Sequence, residues 1–388
     1  MTSYIVSAKR SAICKYGGAL SQMTATQIMK QIISYLGKTS LTAIEEVYIG
    51  CVLQACQGQN PARQAFYGTS IRVDVPATTL NLVCGSGLKS IQVADQAIST
   101  GERDVILAGG MESMSNVPYY LQNHRFGKRI GDDTLVDGMM LDGLYCSLID
   151  QKMGITAENI AKRYNISRAD QDLLAYTSQM RAIKSIQNGI FNEEIVPIQL
   201  QTKKGVIQVK TDEQPRADTT LEALAKLKPA FLTNGTVTAG NSSTINDGAA
   251  VVVLASEKGL KKHNLTPIVE VIACAHIALD PAYMGMGASY AAKECIKKSG
   301  INADDIGIWE INEAFAAQSI AVVNDLKIDP KRVNVRGGAI ALGHPIGASG
   351  TRVVVTLVHE MKRKKSTYGL ASLCIGGGQG VSILLKLI

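Results

Sequence analysis

The strongest constraint on how this chain folds is a unit that occurs twice. Residues 77–83, ATTLNLV, read as a buried strand; from Gly87 the positions Leu88, Ile91, Ala94 and Ile98 recur at helical spacing until Gly101, and VILA at 105–108 starts another strand. The second half repeats this order, with a strand VNV at 333–335, a glycine-rich turn, a helix carrying Val353, Val354, Leu357 and Met361 on one face, and a strand LASLCI. Both turns hold Ser-Gly just before the helix, Ser86-Gly87 and Ser349-Gly350. A duplicated unit of this kind predicts an α/β fold with two similar halves.

Between the halves the chain turns polar, charged and largely helical in its pattern. This divides it into a first half of residues 1–117 and 247–266, an insert of residues 118–246 and a second half of residues 267–388. Within the insert, Ser167 followed by Asp170 is a capping-box signature for a helix running through Leu173, Leu174 and Ala175 toward Gly189. Pro229, Gly235, Gly240 and Gly248 then break the chain into loops before an apolar run at 249–255. Such loops are candidates for ligand contact.

At 388 residues, 46% of them hydrophobic, the chain is long enough for more than one compact core. Charged residues make up only 19% and no segment is low in complexity, so long disorder is not expected. No apolar run approaches the roughly 20 residues a membrane helix needs, and no signal segment is evident, so the expected location is cytoplasmic. Eight scattered cysteines suit reduced thiols, and Cys51 with Cys56 lacks the spacing of a zinc site. The net charge of +7 suits a phosphorylated small molecule; Lys and Arg are dispersed apart from KRKK at 362–365, read as a helix end, and no nucleic-acid partner is expected.

Three short stretches can carry chemistry. In VCGSGLKS, residues 83–90, Cys84 stands at the head of a helix, where free N–H groups and the helix dipole favour thiolate, so it is placed to be a nucleophile; the plain alternative is a small buried hydrophobe. His344 in ALGHPIGASG occupies the corresponding place in the second half and can take a thiol proton, unless it merely bonds to loop backbone. In SLCIGGGQG, Cys374 can shuttle a proton beside unobstructed N–H groups of the glycine run, although the same run reads as a hairpin turn. Asn312, between a strand at 308–311 and a helix, can hold a water, but capping is the commoner use of such a residue.

Taken together, VCGSGLKS, GGMESMS at 109–115, GQNPARQA at 58–65, NDGAA at 246–250, NEAF at 312–315, GHPIGASG at 343–350 and CIGGGQG at 374–380 resemble the signature set of the thiolases, in family order and over nearly the whole chain. The resemblance is greatest to the acetyl-CoA C-acetyltransferases. It implies five layers (αβαβα) with an inserted loop domain, a homotetramer built as a dimer of dimers, acetyl-CoA and acetoacetyl-CoA as substrates, and no cofactor or metal. By resemblance, Cys84 is the acetylated thiol, His344 its base and Cys374 the thiol that removes an α-proton from a second acetyl-CoA. Asn312, through a water, and His344 then stabilise the enolate, while the N–H groups of Cys84 and Gly376 hold the tetrahedral oxyanion. The coenzyme A contacts implied are Leu144, Lys152, Met153, Arg216, Ala230, Phe231, Ser243, Met284, Ala314 and Phe315, positions that otherwise read mostly as core.

Two residues depart from the family pattern. Lys152 stands where acetoacetyl-type members usually carry histidine, and Ala288 where many relatives have proline, so acyl chain length is open. Rival readings are a thiolase for longer 3-oxoacyl chains, a cysteine-dependent acyl-CoA hydrolase and a phosphate binder using GSGLKS. The last lacks the spacing and ending of a P-loop.

Overall fold

In a computed structural model the described residues are 1–203 and 205–388. The first half contributes five main strands: β1 (Ser3–Arg10), β2 (Glu46–Gly50), β3 (Ala77–Leu80), β4 (Val105–Ser113) and β5 (Asn246–Ser256). The second contributes β6 (Val269–Ala278), β7 (Ile306–Ile311), β8 (Tyr368–Ile375) and β9 (Gln379–Leu387). Their order is β7-β8-β9-β6-β1-β5-β4-β2-β3. The pairings correspond term by term: β1–β5 and β5–β4 are antiparallel, as are β6–β9 and β9–β8, whereas β4–β2 and β8–β7 are parallel. The seam between the halves is short, with Tyr4 opposite Glu270 and Ile5 opposite Val269.

The duplication is incomplete at one edge. The strand expected at 333–335 is a single parallel bridge of Val333 to Trp309, where the first half has the four-residue strand β3. Arg181 from the insert donates to the carbonyl oxygens of Val333 and Asn334, and the Asn334 side chain bonds to Ile311, so outside partners take the groups a ladder would use. Strand β3 itself is shorter and less buried than the run ATTLNLV suggests, because residues 81–83 leave it to form a turn.

Helices make up the other three layers. Helix α2 (Ser86–Ser99) and helix α7 (Ile346–Lys364) lie between the sheets, and Leu88, Ile91, Ile98, Val353, Val354 and Leu357 share one core with inward residues of both halves. Helix α1 (Ala25–Tyr35) covers the outer face of the first sheet; α5 (Gly287–Ser299) and α6 (Ala316–Leu326) cover that of the second. The two central helices approach closely at their starts. A Cβ on Gly87 would lie 2.7 Å from Thr351 Oγ1 and one on Gly350 2.3 Å from Leu88 N, and Thr351 Oγ1 donates to the Gly87 carbonyl at 2.9 Å. Ser86-Gly87 and Ser349-Gly350 thus lie inside the helices and not in the turns before them, because the close crossing falls within the helical backbone, and this contact needs glycine on both. It brings Cys84 and His344, each two residues before its helix, to the same end of the middle layer.

The insert is mixed rather than largely helical. Its long elements are α3 (Met153–Arg163) and α4 (Arg168–Gln187), with a hairpin of Ile198–Thr202 and Gly205–Val209 and extended loops around them. The capping box at Ser167 and Asp170 is formed, but Leu173 is exposed and the buried face of α4 carries Gln171, Asp172, Ser178 and Gln179. Most of that polar face is paired: Gln171 donates to Thr236, Asp172 accepts from Asn241 and Ser178 donates to Glu313, while the buried Gln171 Oε1 has no partner among the described residues. The strand β5 begins before the apolar run, at Asn246, because Asp247 accepts from Ser115 and so enters the sheet paired. Among the described residues, no helix is long and apolar enough to cross a membrane.

Candidate active site

Cys84 sits on a tight turn between β3 and α2. Val83 precedes it at φ +46°, a left-handed conformation that costs a β-branched residue energy. The surrounding bonds hold it there: Gly85 N–H donates to Leu82 O, Ser86 Oγ donates to Val83 O and Val83 N–H donates to the Asn81 side chain. Helix α2 starts two residues later, at Ser86, so Cys84 lies just outside the first turn. The expected stabilisation of thiolate by the helix end is outweighed. Burial pushes the Cys84 thiol up to about 11, with the N–H groups of Gly376 and of Cys84 itself pulling the other way.

The second-half turn holds His344, 6% exposed, two residues before α7. Its backbone N–H donates to Asn246 Oδ1 at 2.9 Å, and its Nδ1 lies 2.6 Å from Ser349 Oγ. The Ser349 hydroxyl has one proton and donates it to the Pro345 carbonyl at 3.0 Å. Nδ1–H must therefore be the donor to Oγ, which leaves Nε2 with its lone pair free. Nε2 is buried and has no partner among the described residues. Burial, with the Arg352 guanidinium nearby, holds the imidazole down at about 3. Burial thus pushes the thiol up and the imidazole down, and both shifts favour the uncharged forms. At rest the site holds a neutral thiol and a neutral imidazole with a free lone pair.

Cys374 is at the end of β8, and the glycine run after it does close a hairpin onto β9. The hairpin reading therefore holds, and the same turn points the Gly376 N–H toward the Cys84 sulfur. Burial first, then the nearby Cys84, raises the Cys374 thiol above the ordinary cysteine range. Asn312 follows β7 with its N–H on Ser372 O, two residues from Cys374 along β8. It does not cap. Helix α6 starts at Ala316 after Phe315, and both polar atoms of the buried Asn312 side chain lack partners among the described residues. A buried amide left open is costly, and so is a buried imidazole nitrogen with a free lone pair; each is a place where a polar guest would be accommodated.

The residues named for coenzyme A gather into one wall and a more distant group. Met284, Ala314, Phe315 and Cys374 share a buried cluster with Met153 and Phe231 against it. The rings of Phe231 and Phe315 meet edge to face at 6.2 Å, and Ser243 N–H donates to Ala314 O at 3.0 Å. Gly376 lies beside Met153 and Val83. Leu144 ends a π-helical turn and packs with Cys84 against Val52, Leu53 and Ile346. Lys152 caps α3 with an exposed side chain, and Ala230 and Arg216 are also exposed, as a nucleotide end in solvent would require. Sequence reasoning missed Ser349, Asn246 and Glu112. Each lies in a motif quoted above, but only the fold reveals what its side chain holds.

Residues 3–258 match the thiolase N-terminal domain and residues 265–387 the thiolase C-terminal domain. An acetyl-CoA acetyltransferase of Pseudomonas aeruginosa is 50% identical over 98% of each chain, and a probable acetyl-CoA acyltransferase of Staphylococcus aureus 48% identical over 98% of each. Among solved structures, Bacillus anthracis acetyl-CoA acetyltransferase superposes with a TM-score of 0.97 at 38% identity, covering all of this chain and 99% of that one. Human mitochondrial 3-ketoacyl-CoA thiolase does so with 0.97 at 41% identity and the same coverage. With a cysteine turn and a histidine turn at corresponding places in its two halves and these likenesses along its full length, the chain belongs to the thiolase family.

Proposed function

We propose that the protein is an acetyl-CoA C-acetyltransferase, joining two acetyl-CoA into acetoacetyl-CoA and free coenzyme A and catalysing the reverse thiolysis. The observation that carries this is the pairing of Cys84, whose sulfur faces the Gly376 N–H and lies near Cys374, with a neutral His344 whose Nε2 is free. As Cys84 attacks the thioester carbonyl, His344 Nε2 takes its proton, and the N–H groups of Cys84 and Gly376 bind the oxyanion. Coenzyme A leaves as a thiol by taking the proton of Cys374, so that acetyl remains on Cys84, Cys374 is left as thiolate and His344 keeps the proton from Cys84. A second acetyl-CoA then loses an α-proton to the Cys374 thiolate, its enolate oxygen held by the Nε2–H of protonated His344 and by a water on Asn312. The enolate carbon attacks the acetyl-cysteine, the carbon–carbon bond forms, and Cys84 departs as thiolate and regains its proton from His344, which returns all three groups to their starting state.

The reading extends to assembly and place. The insert, residues 118–246, carries most of the coenzyme A contacts, and the family's dimer of dimers is the expected assembly. The location is cytoplasmic, with no cofactor beyond the coenzyme A thioesters that serve as substrates. The test is product analysis with acetyl-CoA alone: acetoacetyl-CoA supports the reading, whereas acetate and coenzyme A without a condensed product would show a hydrolase. A second reading, thiolysis of longer 3-oxoacyl-CoA, draws on the exposed Lys152 in place of a compact ring and on the likeness to the human 3-ketoacyl-CoA thiolase. Relative kcat/KM across 3-oxoacyl lengths separates the two.

A further inference from the structure

The motif GGMESMS places Glu112 on β4, and the acyl transfer just described gives it no part. Its carboxylate is fully buried. One oxygen, Oε2, accepts from Val52 N–H at 3.2 Å and Gly347 N–H at 2.9 Å; the other, Oε1, accepts from Leu53 N–H at 3.2 Å and faces the Cys51 thiol at 3.8 Å. Val52 and Leu53, with Met114 and Ile346, form the apolar cluster against which Cys84 and Leu144 pack. Gly347 comes three residues after His344 and opens α7. A Cβ there would stand 2.7 Å from Oε2, so only bare backbone lets the carboxylate in. A single side chain thus ties the apolar wall beside the nucleophile, from the first half, to the base turn, from the second.

We infer that Glu112 is a positioning residue that holds Val52–Leu53 and the His344 turn in register with Cys84. The inference rests on the acyl-transfer reading and adds to it. Activation of the thiol is the other use open to a buried carboxylate, but its charge acts on Cys84 in the wrong direction, raising the thiol. What it supplies is geometry. Burial pushes the Glu112 carboxyl up to about 7, and the N–H groups of Leu53, Gly347 and Val52 pull the other way, toward the acceptor-only carboxylate that suits a ring of donors. An amide must instead turn its own NH₂ toward one of those donors. Near-attack placement is sensitive to shifts of an ångström.

The test is Glu112→Gln. The rate at which acetyl-CoA acetylates Cys84 should fall roughly 10- to 100-fold, while KM for coenzyme A in thiolysis, set by distant insert contacts, stays within about twofold. A folded variant that acetylates at the wild-type rate, or one that loses only coenzyme A affinity, overturns the inference. If the variant does not fold, hydrogen exchange on the wild-type enzyme decides instead. The amides of Val52, Leu53 and Gly347 should be as protected as those of β4, and rapid exchange in residues 51–54 beside a protected β4 overturns the clamp. A wild-type Cys84 that takes no acetyl group would defeat the acyl-transfer reading, and hydrogen exchange would still judge the clamp.

Discussion

The turns that lead into α2 and α7 are copies in topology and differ in what they present. In the first, the proposed reactive atom is the thiol of the half-buried Cys84, on a turn whose Val83 is held at positive φ. In the second, a glycine, Gly343, takes the positive φ at +104°, and the reactive atom is the nitrogen of a buried ring pinned by Ser349 and Asn246. A nucleophile must be reached by substrate. A base must keep a lone pair free and stay uncharged, which burial ensures. Duplication therefore supplied two similar frames, and local packing suits one to the proposed nucleophile and the other to the proposed base.

Removing either reactive atom breaks the comparison most severely. Cys84→Ser should lose at least ~10⁴-fold in activity, because a serine hydroxyl is a far poorer nucleophile beside the same base. Mass spectrometry after incubation with acetyl-CoA should find acetyl on the wild-type peptide containing VCGSGLKS; acetyl elsewhere with a fully active Cys84→Ser would end the assignment. Cys374→Ala should still take acetyl on Cys84 yet condense roughly 10²- to 10⁴-fold more slowly. Wild-type condensation in that variant would remove Cys374 from the proton path. His344→Ala should impair both steps.

Subtler changes sharpen the contrast. Because the thiol sits near 11 and the imidazole near 3, no thiolate–imidazolium pair should form at neutral pH. Carbamidomethylation of Cys84 by iodoacetamide should therefore rise about tenfold per pH unit from pH 7 to 9, following the thiolate fraction. A plateau below pH 8 would show a preformed ion pair. Ser349→Ala should cost roughly 10-fold in the acetylation of Cys84 by freeing the imidazole to hold its proton on either nitrogen, and Ser349→Thr should restore part of that. The smallest effect concerns chain length: Lys152→His should narrow the ratio of kcat/KM for 3-oxohexanoyl-CoA over acetoacetyl-CoA by a few-fold, about 1 kcal/mol. An unchanged ratio would clear Lys152 and turn attention to Ala288.

What could be read from the sequence follows the physics of each signal. Helices α2 and α7 announce themselves because their buried faces recur at helical spacing, and the twin Ser-Gly pairs stand out because a close crossing there admits only glycine. Cys84, His344, Cys374 and Asn312 could be named from motif and setting. Their state could not: the expected thiolate gives way to a protonated thiol because desolvation, invisible in the chain, exceeds what the nearby N–H groups return. The missing strand at Val333 depends on Arg181, far away in sequence. Val83 reads as the last residue of a strand because nothing in a β-branched side chain signals a left-handed turn. Glu112 looks like any acidic residue until three N–H donors from two distant segments converge on it.

The place of β5 in the sheet has a consequence for the order of events on the ribosome. This strand lies between β1 and β4, antiparallel to both, and every one of its residues is buried. Until Ser256 has emerged, the first sheet lacks its central member, and β1 has no neighbour in its own half. At roughly 5 to 20 residues per second, the nascent chain waits about 12 to 50 seconds with the inner faces of its early strands uncovered. The insert is made during that interval. Its extra length thus lengthens the time for which the nascent first half waits for its central strand, a delay set by the order of the strands along the gene and not by the stability of the finished enzyme.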